Sequence, residues 1–152
     1  VMILIPGNQV TYREADKDFN RLNHFKVEEA GEKVAILALG DFYQRGEQLS
    51  AKIKAEFGFT PTLINPRFAS GIDKELLESL SERHQMVITM EDGILSGGFG
   101  EKIASFYRSS DMKVKNYGLD KKFYDRYDPN ELLKEVGMTP AQIIADICNQ
   151  LK

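Results

Sequence analysis

The sequence alternates between two hydrophobic periods, and that alternation predicts its elements. Val34 to Leu39 is continuously apolar and stops at Gly40, the pattern of a strand covered on both faces. From Phe42 to Phe57, Leu49, Ile53 and Phe57 recur at helical spacing with Gly58 behind them, predicting an amphipathic helix closed by a glycine. Thr62 to Ile64 predicts another strand. Asp73 is placed to cap a helix over Lys74 to Arg83 with Leu76, Leu77 and Leu80 turned inward, and Met86 to Met90 predicts a second fully buried strand. Gly93 to Gly100 reads as a glycine-rich turn into a short helix carrying Ile103, Ala104, Phe106 and Tyr107, and Met112 to Tyr117 alternates as a further strand. Asn130 to Val136 predicts a short helix ended by Gly137. Thr139-Pro140-Ala141-Gln142 is a capping box with proline at the first helical position, launching a last helix along Ile143, Ile144, Ile147 and Leu151.

Strands that alternate with helices need crossover connections, which are right-handed almost without exception. The expected fold class is therefore α/β, a three-layer α/β/α domain around a mostly parallel five-stranded sheet. The short pattern from His24 to Glu29 supplies one antiparallel edge strand. The polar stretch from Gln9 to Asn23 has no clean period and reads as a linker. The apolar run Val1 to Ile5 reads as a strand entered partway, so the expected organisation is 1–23 as the end of a preceding domain plus linker and 24–152 as the domain itself.

Composition narrows the function classes. At 152 residues and 42% apolar content, one compact domain is expected. A formal net charge of -3 gives no reason to expect nucleic acid as a partner, and Lys113, Lys115, Lys121 and Lys122 read as solvated surface. Cys148 is the only cysteine and sits among the apolar positions of the last helix, which implies a reduced, cytoplasmic compartment. No apolar run approaches the roughly 20 residues of a membrane span. Met112 and Met138 read as packing.

In open α/β sheets ligands bind beyond the carboxyl ends of the strands. Those ends fall at Gly40-Asp41, Asn65-Pro66-Arg67 and Glu91-Asp92-Gly93. Asp41, Arg67, Glu91 and Asp92 are thus candidates for a crevice or a domain interface. Arg67 could grip a carboxylate or phosphate with both arms, although an arginine at a strand end more often makes a structural or interdomain ion pair. Glu91 and Asp92 are adjacent and should point to opposite faces, so they cannot form an acid/base couple unaided, and one of them should cap or pair locally. Gly97, Gly98 and Gly100 open a helix whose free N–H groups could cradle an anion, although the GxGxxG and Walker spacings are both missing; glycines also let neighbouring backbone approach. His24 and His84 lack ligand spacing, and Ser96 has no base beside it. These residues alone lead to a binding or assembly module without a complete catalytic set, and a flavodoxin-like small-ligand or regulatory domain stays open.

Several segments, in one order, resemble the C-terminal domain of the 1-deoxy-D-xylulose-5-phosphate synthases, a branch of the transketolase superfamily. Glu32 to Gly40 looks like that family's first core strand. Ile64-Asn65-Pro66-Arg67-Phe68 with Gly71-Ile72-Asp73 is similar to its "RF…LD" stretch, His84 to Asp92 to its "H…VTVEE" strand, and Gly97-Gly98-Phe99-Gly100 to its "GGFG" turn. Tyr117-Gly118-Leu119 with Phe123, and Glu131-Leu132-Leu133 to Gly137, resemble its "GLPD.F" and "ELL…GL" features. The resemblance implies a parent enzyme that condenses pyruvate with glyceraldehyde 3-phosphate, losing carbon dioxide, to feed isoprenoid, thiamine and pyridoxal synthesis. It also implies thiamine diphosphate and Mg²⁺ in domains that precede this one, no cofactor, metal or catalytic residue within this chain, and a homodimeric parent whose fold and dimer this domain completes. The same C-terminal fold occurs in transketolases and in 2-oxoacid dehydrogenase beta subunits, so another transketolase-like enzyme, or a separately encoded subunit of a split one, is the alternative. At the junction before the domain the family reads "IRYPRG", whose second arginine helps hold the substrate phosphate. This sequence has Ile3-Leu4-Ile5-Pro6-Gly7 there, with neither arginine.

Overall fold

The structure, a computed structural model, describes residues 21–151. Five strands form one sheet: β1 (Lys26–Glu29), β2 (Lys33–Ala38), β3 (Thr62–Asn65), β4 (His84–Ile94) and β5 (Lys113–Leu119). Their order is β1-β3-β2-β4-β5, with β1 antiparallel to β3 and the remaining pairs parallel. The expected sheet, including its antiparallel edge, is the observed one. The expected linker and the junction without arginines lie outside the described residues, apart from Arg21 to Asn23.

Period-two alternation in β2 and β4 divides the core between two helical layers. Val34, Ile36 and Ala38 of β2 and Met86, Ile88 and Met90 of β4 pack with α1 (Tyr43–Phe57), α4 (Pro129–Glu135) and α5 (Pro140–Gln150). On the other face, Ala35, Leu37 and Val87 pack with α2 (Lys74–Leu80) and α3 (Phe99–Tyr107). Local chemistry sets the helix ends. Gly58 closes α1 at φ 73°, a left-handed conformation that glycine adopts without a Cβ penalty. Asp73 caps α2, Asp128 caps α4, and the Thr139–Gln142 capping box starts α5 as its sequence predicts. Met138 is buried in the first layer, Met112 packs at the margin of the second, and Cys148 is half-buried against the first.

Two elements depart from expectation. α2 ends at Leu80, and the next three residues form a turn that returns to β4. β4 runs on through Glu91, Asp92 and Gly93 to Ile94, so this trio lies inside the strand and not beyond its end. Of the four lysines expected as solvated surface, Lys115 lies 3.3 Å from Asp146, Lys122 lies 2.9 Å from Glu135, and Lys113 donates to the Gln150 carbonyl. Such exposed or half-exposed pairs contribute little, about 0–1 kcal/mol each.

The amino ends of the parallel strands are tied by His84. Its Nδ1 lies 2.9 Å from the Leu80 carbonyl, so that nitrogen carries the proton. Its Nε2 lies 2.7 Å from the Thr62 hydroxyl, which also accepts from the Gly31 N–H at 2.9 Å. In the neutral ring the Thr62 hydroxyl donates to Nε2, and every group in this chain is satisfied. Burial lowers the His84 pKa below its ordinary value, with Arg83 acting the same way and the Leu80 carbonyl and Glu32 opposing. The folded state thus binds this proton less readily than the unfolded chain does. The associated stability is complete above the unfolded histidine pKa of about 6.5 and is lost as pH falls below it. Denaturant titrations from pH 7.5 down to pH 5 should show the stability gap between wild type and His84→Gln narrowing; a gap constant with pH would show that protonation of His84 is not coupled to folding.

Candidate functional site at the carboxyl end of the sheet

After β2 the chain turns to β3 on one side, and β4 joins β2 on the other, so the topological switch point lies between the carboxyl ends of β2 and β4. In this chain a turn of the backbone follows β2 there, the single 3-10 turn Gly40–Phe42, and the Leu39 N–H just before it donates to the Met90 carbonyl at 2.9 Å. Phe42 is buried beneath the turn while Asp41 is exposed on it. Gly40, at φ 60°, makes the bend.

Beside it, β4 presents Val87, Thr89 and Glu91 to the α3 layer, each of them buried. Glu91 Oε2 accepts from the Phe99 N–H and Oε1 from the Gly100 N–H, both at 2.8 Å. The carboxylate therefore occupies the anion-binding end of α3, where unpaired N–H groups and the helix dipole both favour negative charge. Gly98 leaves room for it: a Cβ there would sit 2.8 Å from both carboxylate oxygens and 2.6 Å from the Ile94 carbonyl. Gly97 takes φ 77° to make the turn, and its N–H donates to Glu101. One turn into the helix, Gly100 rests against the pair formed by the Thr89 hydroxyl and Asn116 Oδ1, 2.8 Å apart; a Cβ would come within 2.5 Å of that hydroxyl. The candidate cradle for an external anion thus holds the chain's own carboxylate. The glycines serve both that contact and the close approach of backbone.

Asp92 is exposed and Glu91 buried, as alternation along the strand requires, so the two carboxylates never meet. Arg67 stands at the far side of the sheet, at φ 61°, with its N–H on Asn65 Oδ1 and its guanidinium on the His24 carbonyl at 2.7 and 3.2 Å. It clamps the strand that enters β1. The structure therefore brings Glu91, Gly97, Gly98 and Gly100 together and leaves Asp41, Asp92 and Arg67 apart from them.

Sequence reasoning identified Asp73 only as a helix cap. Its buried carboxylate also accepts from the Phe25 N–H at 2.9 Å and lies 3.0 Å from His24 Nδ1, joining the edge strand to α2. Nothing local in the sequence signals a partner 48 positions away.

Among the described residues, no buried side-chain nitrogen or oxygen lacks a partner, and no group of three or more His, Cys, Asp or Glu could hold a metal ion. No helix among them is long and apolar enough to cross a membrane. The helix end among them that suits a phosphate is filled by Glu91.

The strand order β1-β3-β2-β4-β5, parallel but for one edge and covered by helices on both faces, defines a doubly wound α/β domain. Comparison with known proteins supplies the family. The profile described as "Transketolase, C-terminal domain" matches residues 23–143, and the chain belongs to that family. It is 31% identical to the 1-deoxy-D-xylulose-5-phosphate synthase of Shouchella clausii (strain KSM-K16), over 99% of this chain and 24% of that protein. Against the enzyme of the same description from Synechococcus sp. (strain JA-2-3B'a(2-13)) it is 35% identical, over 78% of this chain and 18% of the relative. The chain thus spans about a quarter or less of the curated relatives it matches. Among solved structures, a protein titled "Split gene transketolase, inactive beta4 tetramer" superposes with a TM-score of 0.74 at 24% identity, covering 85% of this chain and 42% of that one. That likeness establishes the shared fold.

Two substitutions test the site. Glu91→Ala leaves two buried N–H donors facing a void and should cost about 2–4 kcal/mol in a denaturant titration. Gly98→Ala must displace the carboxylate and a carbonyl and should also destabilise, by about 1–3 kcal/mol. A phosphate titration followed by amide NMR should leave Gly97 to Glu101 unmoved in wild type; saturable shifts there would show that Glu91 can be displaced by an external anion.

Proposed function

We propose that this chain is the C-terminal domain of a thiamine-diphosphate-dependent transferase of the 1-deoxy-D-xylulose-5-phosphate synthase type. The observation that carries the reading is the 31% identity to such a synthase across 99% of this chain, set within a relative about four times as long. In this reading the parent enzyme joins pyruvate to glyceraldehyde 3-phosphate with loss of carbon dioxide. Its product feeds isoprenoid and thiamine synthesis in the cytoplasm. The cofactor and Mg²⁺ belong to preceding domains, the parent is a homodimer, and the present chain completes the fold without supplying a reacting group.

The geometry agrees with a supporting role. Glu91 and Asp73, the buried carboxylates among the described residues, accept from backbone N–H groups, and the Arg67 guanidinium donates to a backbone carbonyl. Residues 3–7, where the family's phosphate-holding arginine is missing from the sequence, lie outside the described residues. In this proposal the acceptor phosphate is held by other residues of the parent.

The test is pyruvate decarboxylation by the polypeptide that carries this domain, with thiamine diphosphate and Mg²⁺, in the presence and absence of glyceraldehyde 3-phosphate. Acceptor-dependent formation of deoxyxylulose phosphate is expected, with no turnover from the 152-residue chain alone. Thiamine-dependent turnover of other sugar pairs but not of this one would keep the superfamily and discard the reaction.

A further inference from the structure

The large apolar side chains exposed among the described residues are Leu22, Val27, Ile94, Phe123 and Tyr127. All but Val27, which lies on edge strand β1, belong to the carboxyl end of the sheet, with Ile94, Phe123 and Tyr127 on the β4–β5 side and Leu22 on the β1 side. Ile94 ends β4 opposite Leu119, the last residue of β5, and the neighbouring Leu95 N–H donates to the Leu119 carbonyl at 2.9 Å. The loop that follows folds back on the same strand end. Tyr124 accepts from the Asp120 N–H at 3.1 Å, and Tyr127 meets the Tyr124 ring edge-on at 6.1 Å. Phe123 stands out from this loop fully exposed. Leu22 lies at the other side of the same end, because β1 is antiparallel and its first residue, Lys26, pairs with Asn65 at the end of β3. The amino end of the sheet, around Glu32, Glu82, Arg83 and His84, has no comparable residue among those described.

We propose that this end is the surface onto which a preceding domain of the same polypeptide folds, with Phe123 as the apolar anchor. The inference rests on the reading above that the chain belongs to a longer enzyme. Three observations select that occupant. The relatives are about four times as long, and the matched family is by its description a C-terminal domain, so the remaining mass precedes it. The segment that leads into β1 lies on this same end, where Arg67 clamps the His24 carbonyl and Ser70 donates to Asn23 at 2.9 Å. The helix end that could hold an anion here is already occupied, because the Phe99 and Gly100 N–H groups donate to Glu91. Around Phe123 stand Asp120, Lys121, Lys122, Asp125, Arg126 and Asp128, three charges of each sign. A mixed polar rim about an aromatic centre is the usual composition of an interface, and does not fit a polyanion or an anionic membrane.

The experiment places p-benzoylphenylalanine at position 123 of the polypeptide that carries this domain and maps the photo-cross-link by mass spectrometry. The expected product is intramolecular and joins residue 123 to a segment that precedes residue 1 of this chain. A cross-link to residues 21–151 of a second copy, or no cross-link with residue 123 still open to solvent, would overturn the proposal. Phe123→Asp is the companion variant. Because Phe123 is fully exposed within its own domain, the variant should leave the melting of the 152-residue chain unchanged while speeding amide exchange over residues 118–128 of the whole polypeptide about tenfold. The cross-link is read without substrate or cofactor, so it can stand if the pyruvate reaction fails, and it can fail if that reaction stands.

Discussion

The contact on which the carboxyl end of this domain depends is that of the Glu91 carboxylate with the first turn of α3. Removing a carboxylate from water is expensive, and only donors already fixed in place make it tolerable. Here the donors are N–H groups that any helix leaves unpaired, so the burial of one group solves the problem of the other. The rest follows geometrically. For Glu91 to reach Phe99 and Gly100, β4 must continue past Met90 in extended form, Gly98 must lack a side chain, and α3 must begin where it does. The fit of Gly100 on the Thr89–Asn116 pair then sets α3 against β5 as well as β4.

The same contact explains why a fold that often holds ligands at its switch point shows no such cradle here. A helix end and a glycine turn are generic means of binding phosphate. In this chain they are turned inward and used as cement. Asp73 does the equivalent at the opposite edge, where one carboxylate caps α2, receives the Phe25 N–H and meets His24. Two buried acids thus fix the two helices of one layer to the sheet, and the opposite layer packs through Leu49, Ile53, Ile143 and Ile147, with the Tyr117 hydroxyl of β5 donating to Asp146 of α5 at 2.8 Å.

Much of this was legible in the sequence. Val34 to Leu39 and Met86 to Met90 are apolar enough to identify central strands, and Gly58, Asp73 and Thr139 mark helix ends by chemistry that acts over one turn. The alternation of Phe25 and Val27 with polar neighbours predicts a half-buried strand; a strand forms there at the edge, but Phe25 is buried just before it and Val27 is exposed on it. The extension of β4 was not legible, since Glu91-Asp92-Gly93 has the polarity of a turn. Only the helix start eight positions on from Glu91, with glycines before it, hints that the glutamate faces inward. Contacts across long separations were silent: His84 with Thr62, Asp73 with Phe25, Lys115 with Asp146. In each, polar residues that look solvated in one dimension are brought together by sheet order, which local pattern does not encode.

The covering of the first layer by α5 bears on the timing of synthesis. Ile143, Ile144 and Ile147 pack in the same cluster as Val34, Ile36, Leu49 and Ile53, which are made ninety or more residues earlier. Until α5 has emerged from the ribosome, the nascent chain carries an uncovered strip of sheet and helix. A premature stop before Thr139 would leave a product whose open face invites degradation or self-association rather than a shorter working domain.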